Sequence, residues 1–260
     1  MTSPTSETTQ MADRIPGIGH DEAMRLTAAE NQRLHALLRS LDDQQWTAAT
    51  DCTGWTVRDV AVHVIASAQG QANPVEFARQ VLTGRRLTAE IGGSHWVDGL
   101  NEAQLRARTG WTPAMLPDAW QRHSAAALKV RRRMPAPVRA LPLLPIGTGL
   151  GVHIGWQPLR YLFDMGFTRD VWAHRIDIAR AAGTAPELTA EHDGRIVADI
   201  VAEWSRRHGR PYTLTLTGPA GGTFRAGDGG EPQTVDAVEF VRILSGRAEG
   251  SGILRHKLPL

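Results

Sequence analysis

The sequence predicts a mainly α protein: a helical bundle over residues 20–185, followed by a small α+β unit over 186–260. Three observations carry that prediction. Apolar residues recur at helical spacing in successive segments up to Ala182. After Pro186 the pattern changes, and Tyr212–Thr217 (YTLTLT) alternates strictly, as a half-buried strand does. The segments are separated by short Pro-, Gly- or Thr-rich stretches, and no internal repeat is visible.

Residues 1–19 are polar, with neither a basic start nor an apolar run, so a disordered tail is expected rather than a secretion signal. Asp21 to Leu41 is a first amphipathic helix carrying Ala23, Leu26, Leu34, Leu37, Leu38 and Leu41. The turn-forming stretch 42–55 follows as a loop. Thr56 and Asp59 have capping-box spacing and start a second helix, with Val57, Val60, Ala61, Val64 and Ala68 on its apolar face and His63 at the edge. Asn73-Pro74 opens a third helix, expected to reach Leu82. IGGSHWVDG reads as a break before a polar helix over Asn101–Arg108. A long helix from Thr112 or Pro117 to about Arg133 turns Leu116, Ala119, Trp120, Ala127 and Val130 inward. Residues 134–158 are rich in Pro and Gly yet apolar, the composition of a loop packed on the bundle. A helix from near Pro158 ends at Gly183. Beyond it lie a helix over Thr189–His208 closed by Gly209, a hairpin of Tyr212–Thr217 with Thr223–Ala226, and a last helix over Val235–Leu244.

At 260 residues the chain can bury a substantial core. Its 29 basic and 27 acidic residues leave a formal charge of +2, which gives no electrostatic footprint for nucleic acid or a membrane surface. No apolar run approaches the ~20 residues needed to span a bilayer. A single cysteine excludes an intramolecular disulfide framework and fits a reducing compartment, so a cytoplasmic protein is expected, monomeric or homodimeric.

The chemistry is expected in Phe167–Ala182 (FTRDVWAHRIDIARAA). At 100° per residue, Asp170, His174 and Asp177 share one narrow face, while Arg169, Trp172, Arg175 and Arg180 point elsewhere. Asp170 and His174, four apart, leave the helix one above the other and can share a single atom, the geometry of a two-ligand metal clip. The third ligand must come from elsewhere, and His63 is the candidate, because an edge position can look into a cavity. Two imidazoles and a carboxylate leave coordination positions open, the pattern of a catalytic zinc site and also of an iron site for oxygen chemistry. Asp177, one turn beyond His174, suits a hydrogen bond that orients a ligating imidazole. Against this stands chance: with ten histidines, an exposed Asp-x-x-x-His pair is an ordinary occurrence.

The other reactive residues read as structural. His153 in the apolar loop could line the same cavity but reads first as a satisfied histidine. His95, His123, His192 and His208 sit among polar neighbours and read as surface residues. Cys52 has no legible positive partner to lower its pKa and reads as a buried structural thiol. GPAGGTFRAGDGG lacks the GK[ST] ending of a phosphate loop and reads as turns.

Two segments resemble one family. LLRSLDDQQWTAATDCTGWTVRDVAVHVIA is similar to its N-terminal signature, and TRDVWAHRIDIARA to its carboxylate-to-histidine signature. The family is that of mycothiol-dependent maleylpyruvate isomerases, DinB-like metal-dependent four-helix bundles with a small sterol-carrier-like C-terminal domain, which the ending EFVRILSGR also resembles. The resemblance implies zinc or another divalent metal on His63, Asp170 and His174, with Asp170 one methylene shorter than the family's usual Glu. It also implies a functional C-terminal arginine, Arg247 or Arg242, with Arg247 taken as catalytic. Mycothiol would serve as a metal-activated nucleophile, either for cis–trans isomerisation of an unsaturated acid or for S-transfer to an electrophile. A metal-dependent hydrolase and a non-catalytic ligand-binding bundle are the alternatives.

Overall fold

The computed structural model describes residues 9–93, 95–142 and 155–259. Among them are ten α-helices and one four-stranded sheet. The chain divides into two compact units, one of residues 19–186 and one of residues 187–259 with the stretch before Gly19.

In the helical unit, α1 (His20–Ser40) buries Ala23, Leu26, Leu34 and Leu38 on one face. The expected loop after it contains a short helix, α2 (Asp43–Trp46), held by a reciprocal cap: Gln45 N–H donates to Asp42 Oδ1 at 2.8 Å, and Asp42 N–H to Gln45 Oε1 at 2.9 Å. α3 (Val57–Ala72) starts at the Thr56–Asp59 capping box, as its sequence predicts, and α4 (Pro74–Glu90) at the Asn73 cap.

α4 runs past its expected end at Leu82, and α5 (Trp96–Arg106) begins before the expected Asn101. The reason is a close crossing. A Cβ on Gly84 would fall 2.6 Å from Leu100 Cα, and one on Gly99 only 2.1 Å from the Gly84 carbonyl oxygen, so these glycines let two helix backbones touch. His95 caps α5, with its ring accepting from Val97 N–H at 3.3 Å.

α6 (Leu116–Arg133) buries Leu116, Ala119, Trp120 and Ala127, but Val130, expected inside, is 38% exposed. A short α7 (Ala136–Arg139) opens the Pro-rich stretch. His153 and its neighbours lie outside the described residues. A wide π-type turn, Tyr161–Gly166, leads into α8 (Phe167–Ala181).

α1 packs on α6, α6 on α3, α3 on α8 and α8 on α1, which closes a four-helix bundle; α4 and α5 pack on each other and against α3. Leu34, Leu38, Val60, Val64, Trp120 and Ile178 are among the core residues. Burial of this apolar surface supplies the main driving force for the bundle. One charged pair lies inside it: Arg175 Nε donates to Glu30 Oε1 at 2.6 Å with both side chains almost fully buried, tying α8 to α1.

In the second unit, β1 (Gln10–Met11), β2 (Tyr212–Thr217), β3 (Gly222–Ala226) and β4 (Pro232–Asp236) form a sheet in the order β1-β3-β2-β4. β2 and β3 are antiparallel, with Leu214 opposite Phe224; β4 runs parallel to β2, and β1 parallel to β3. α9 (Arg195–His208) ends at Gly209 in the left-handed conformation (φ 64°), and α10 (Ala237–Leu244) is capped by Asp236. Part of the expected tail is thus structured: Gln10–Met11 pairs with Phe224 and Arg225. β4 was not expected either, because its edge position alternates only between exposed and half-buried residues and leaves no apolar stripe. His192, expected at the surface, is buried in the turn before α9, and His208 stacks on His256. Polar flanking residues do not say which way a helical side chain faces.

Candidate metal centre

α3 and α8, neighbours in the bundle, bring His63, Asp170 and His174 together. His174 Nε2 lies 3.5 Å from Asp170 Oδ1, and His63 Nε2 lies 3.9 Å from Asp170 Oδ2. One donor atom from each residue falls within 4.8 Å of the other two. Donors held about 2.1 Å from a tetrahedral cation sit about 3.4 Å apart, so small side-chain shifts would close this triangle on one ion. The two imidazoles meet edge-on, with centroids 5.1 Å apart. Their side chains are 12% and 8% exposed and that of Asp170 is 25%, which leaves the carboxylate side facing accessible space.

Each imidazole is fixed through its other nitrogen. His174 Nδ1–H donates to Asp177 Oδ2 at 3.0 Å, and the Asp177 side chain is fully buried. His63 Nδ1–H donates to Gln104 Oε1 at 2.7 Å. The amide orientation there is set by a chain of contacts. Gln80 Nε2 donates to the Ala66 carbonyl at 2.9 Å and to Glu76 Oε1 at 2.8 Å, which leaves Gln80 Oε1 to accept from Gln104 Nε2 at 2.9 Å. Gln104 Oε1 therefore faces His63, so the proton sits on Nδ1 and the lone pair on Nε2. Glu76, at the end of the chain, has its carboxyl lowered to about 2, chiefly by the Arg79 hydrogen bond.

Cys52 also joins the site, which no sequence feature revealed. Its thiol donates to Asp177 Oδ2 at 3.4 Å and lies 3.8 Å from His174 Nδ1. Cys52, His174 and Asp177 also have donor atoms within 4.8 Å of one another. That set uses the His174 nitrogen already donating to Asp177, so its geometry is that of a hydrogen-bonded brace behind the imidazole. Trp55, next to the α3 cap, packs its ring 5.2 Å from that of His63.

The C-terminal arginines lie in the other unit. Arg242 on α10 is 9% exposed, and its guanidinium donates to Glu239 and, at 3.5 Å, to the Arg247 carbonyl. Arg247 follows α10, its N–H bonded to the Arg242 carbonyl at 2.9 Å. Of the expected site residues, His63, Asp170, His174 and Asp177 are therefore one cluster, and Arg242 and Arg247 are neighbours of each other.

A four-helix bundle presenting two imidazoles and a carboxylate from two of its helices defines a class of bundle proteins with a divalent-cation-type donor set. Residues 27–179 match the model of the mycothiol maleylpyruvate isomerase N-terminal domain family, and the chain belongs to that family. Among solved structures, a mycothiol-dependent maleylpyruvate isomerase aligns with a TM-score of 0.57 and 17% identity, covering 94% of this chain and 94% of that chain. A histidine-to-alanine mutant of a mycothiol-dependent maleylpyruvate isomerase aligns with a TM-score of 0.57 and 16% identity, covering 92% and 93%. At that identity the likeness establishes the shared fold. A search of curated proteins gave no significant match. Among the described residues, no helix is long and apolar enough to cross a membrane.

Proposed function

We propose that the protein is a metal-dependent enzyme that uses mycothiol as nucleophile, isomerising an unsaturated substrate or transferring the thiol to an electrophile. The observation that carries this reading is the convergence of two Nε2 atoms on one carboxylate, with each Nδ1 hydrogen-bonded away. Such a donor set fits zinc, and iron as well. A cation bound there supplies the positive charge that lowers a thiol's pKa toward neutrality.

The chain's own residues do the rest. His63, Asp170 and His174 would hold the ion, Gln104 and Asp177 fix the two rings, and the partly exposed side of Asp170 leaves room for thiol and substrate. Thiolate addition to the unsaturated carbon forms a C–S bond and moves the π pair onto the neighbouring carbon and its electron-withdrawing group. Rotation about the resulting single bond and expulsion of the thiol complete a cis–trans isomerisation, whereas protonation with the thiol retained gives S-transfer. The arginine that the family resemblance calls for is taken to be Arg247, with Arg242 the other candidate.

Elemental analysis after dialysis against zinc should find about one ion per chain in the wild type, and a small fraction of that in His63→Ala and His174→Ala. Activity on an unsaturated electrophile should require both the metal and mycothiol. Full thiol-dependent turnover by chelator-treated protein, or turnover with no thiol present, would reject the reading.

A further inference from the structure

A cavity of about 350 Å³ lies in the helical unit beside the candidate metal centre. Ser67, one helical turn after His63, and Phe167, just under a turn before Asp170, both line it. Gln104, which bonds His63, does too. Phe77, Trp96, Leu100, Val130 and Leu162 form much of the remaining wall, and among the described lining residues none carries a charge. Phe77, Trp96 and Val130 are also 47%, 36% and 38% exposed, so an apolar rim opens to solvent.

Three amides lie in the wall, and each is engaged: Gln71 Nε2 donates to Ser67 Oγ at 3.2 Å. Gln80 bonds Ala66, Glu76 and Gln104, and Gln104 bonds Gln80 and His63. A carboxylate placed here would lose its water without gaining a cation among the lining residues. An aryl or branched alkyl group is instead favoured by leaving water for this wall.

We propose that this cavity binds the body of an uncharged, apolar electrophile, such as an aryl or branched-alkyl unsaturated ester or ketone, and excludes small dicarboxylates. The placement of the reactive carbon next to His63 and Asp170 rests on the metal-and-thiol reading above; the chemistry of the cavity walls does not.

The test is a titration of metal-free and zinc-loaded protein with N-phenyl-1-naphthylamine, an uncharged aromatic fluorophore, with zinc content measured in parallel. One probe per chain is expected, displaced by ethyl cinnamate and not by fumarate. Val130→Glu and Phe77→Glu, both at part-exposed positions where circular dichroism should stay unchanged, are expected to weaken the probe about tenfold or more. Failure of the probe to bind, displacement by fumarate at the concentration effective for the ester, or unchanged affinity in both folded variants would overturn the proposal. Zinc uptake with no probe binding rejects the apolar cavity alone, whereas probe binding with no zinc uptake rejects the metal reading and leaves the cavity standing.

Discussion

Which nitrogen of His63 faces Asp170 is decided by residues far from it in sequence. Gln104 and Gln80 sit on α5 and α4, and the Ala66 carbonyl fixes the direction of both amides. Removing the Gln104 acceptor frees the ring to flip or take the other tautomer. Gln104→Ala is therefore expected to lower metal affinity about 10- to 100-fold, measured by competition with a chelator, with the fold retained. Affinity equal to wild type would show that the amide chain does not position the ring. Asp177 was legible beforehand, because one helical turn links it to His174. Gln104 was not, since glutamine has no ligand signature and only the fold brings α5 against α3. Cys52 was hidden for the same reason: it lies in the loop before α3, and its partners Asp177 and His174 are on α8.

At the scale of elements, the turn before α8 is tied to one side chain, Arg131. A π-type turn widens the helix and turns carbonyls away from their usual partners. Arg131 of α6 takes two of them: its Nε donates to Phe163 O at 2.6 Å and its Nη2 to Asp164 O at 3.1 Å. Nη2 also donates to the hydroxyls of Thr27 and Thr168, at 3.0 and 2.9 Å. Burial lowers this guanidinium to about 10, while the Asp164 charge opposes the shift. Arg131→Met fills the space but removes the buried donors to the Phe163 and Asp164 carbonyls, while Thr27 and Thr168 keep their bond to each other at 2.7 Å, so a loss on the order of 3 kcal/mol is expected. A lower urea midpoint, with faster amide exchange over 161–166, would register it; an unchanged midpoint would show that the turn holds itself. The longer helices were readable because their apolar spacing is strong, whereas the four-residue α2 and α7 fall in stretches that read as loops. The π-type turn was not, since one extra residue per turn barely disturbs that spacing. The long α4 and early α5 were misread because Gly84 and Gly99 look like breakers until the touching backbones are seen.

At the scale of the whole molecule, each unit carries acid-sensitive groups of its own. In the α/β unit, His208 lies against Trp204, Tyr212 and His256, and its Nε2 is buried with no hydrogen-bond partner among the described residues. Burial first, then the charges of His256 and Arg210, lowers its pKa from 6.5 to about 4. An unfolded chain therefore takes up this proton before the folded one does, and the unit loses stability as pH falls from 6.5 to 4. In the helical unit, Glu76 is depressed from 4.5 to about 2, so its contribution is complete above 4.5 and is lost only as pH falls from there toward 2. Amide exchange in β2 and β3 is thus expected to quicken as pH falls from 6.5 to 4; in the helical unit His123, lowered by burial and then by Arg122 and Arg108, also responds below 6.5, and Glu76 only below 4.5. His208→Phe keeps the ring stack without a titratable nitrogen and should flatten that dependence. Equal slopes in the variant and the wild type would assign the acid response to other groups. The sheet it would report on was half readable: Tyr212–Thr217 shows its alternation locally, whereas β1 is a strand only because a segment from the start of the chain pairs with Phe224 and Arg225, a contact made by tertiary structure alone.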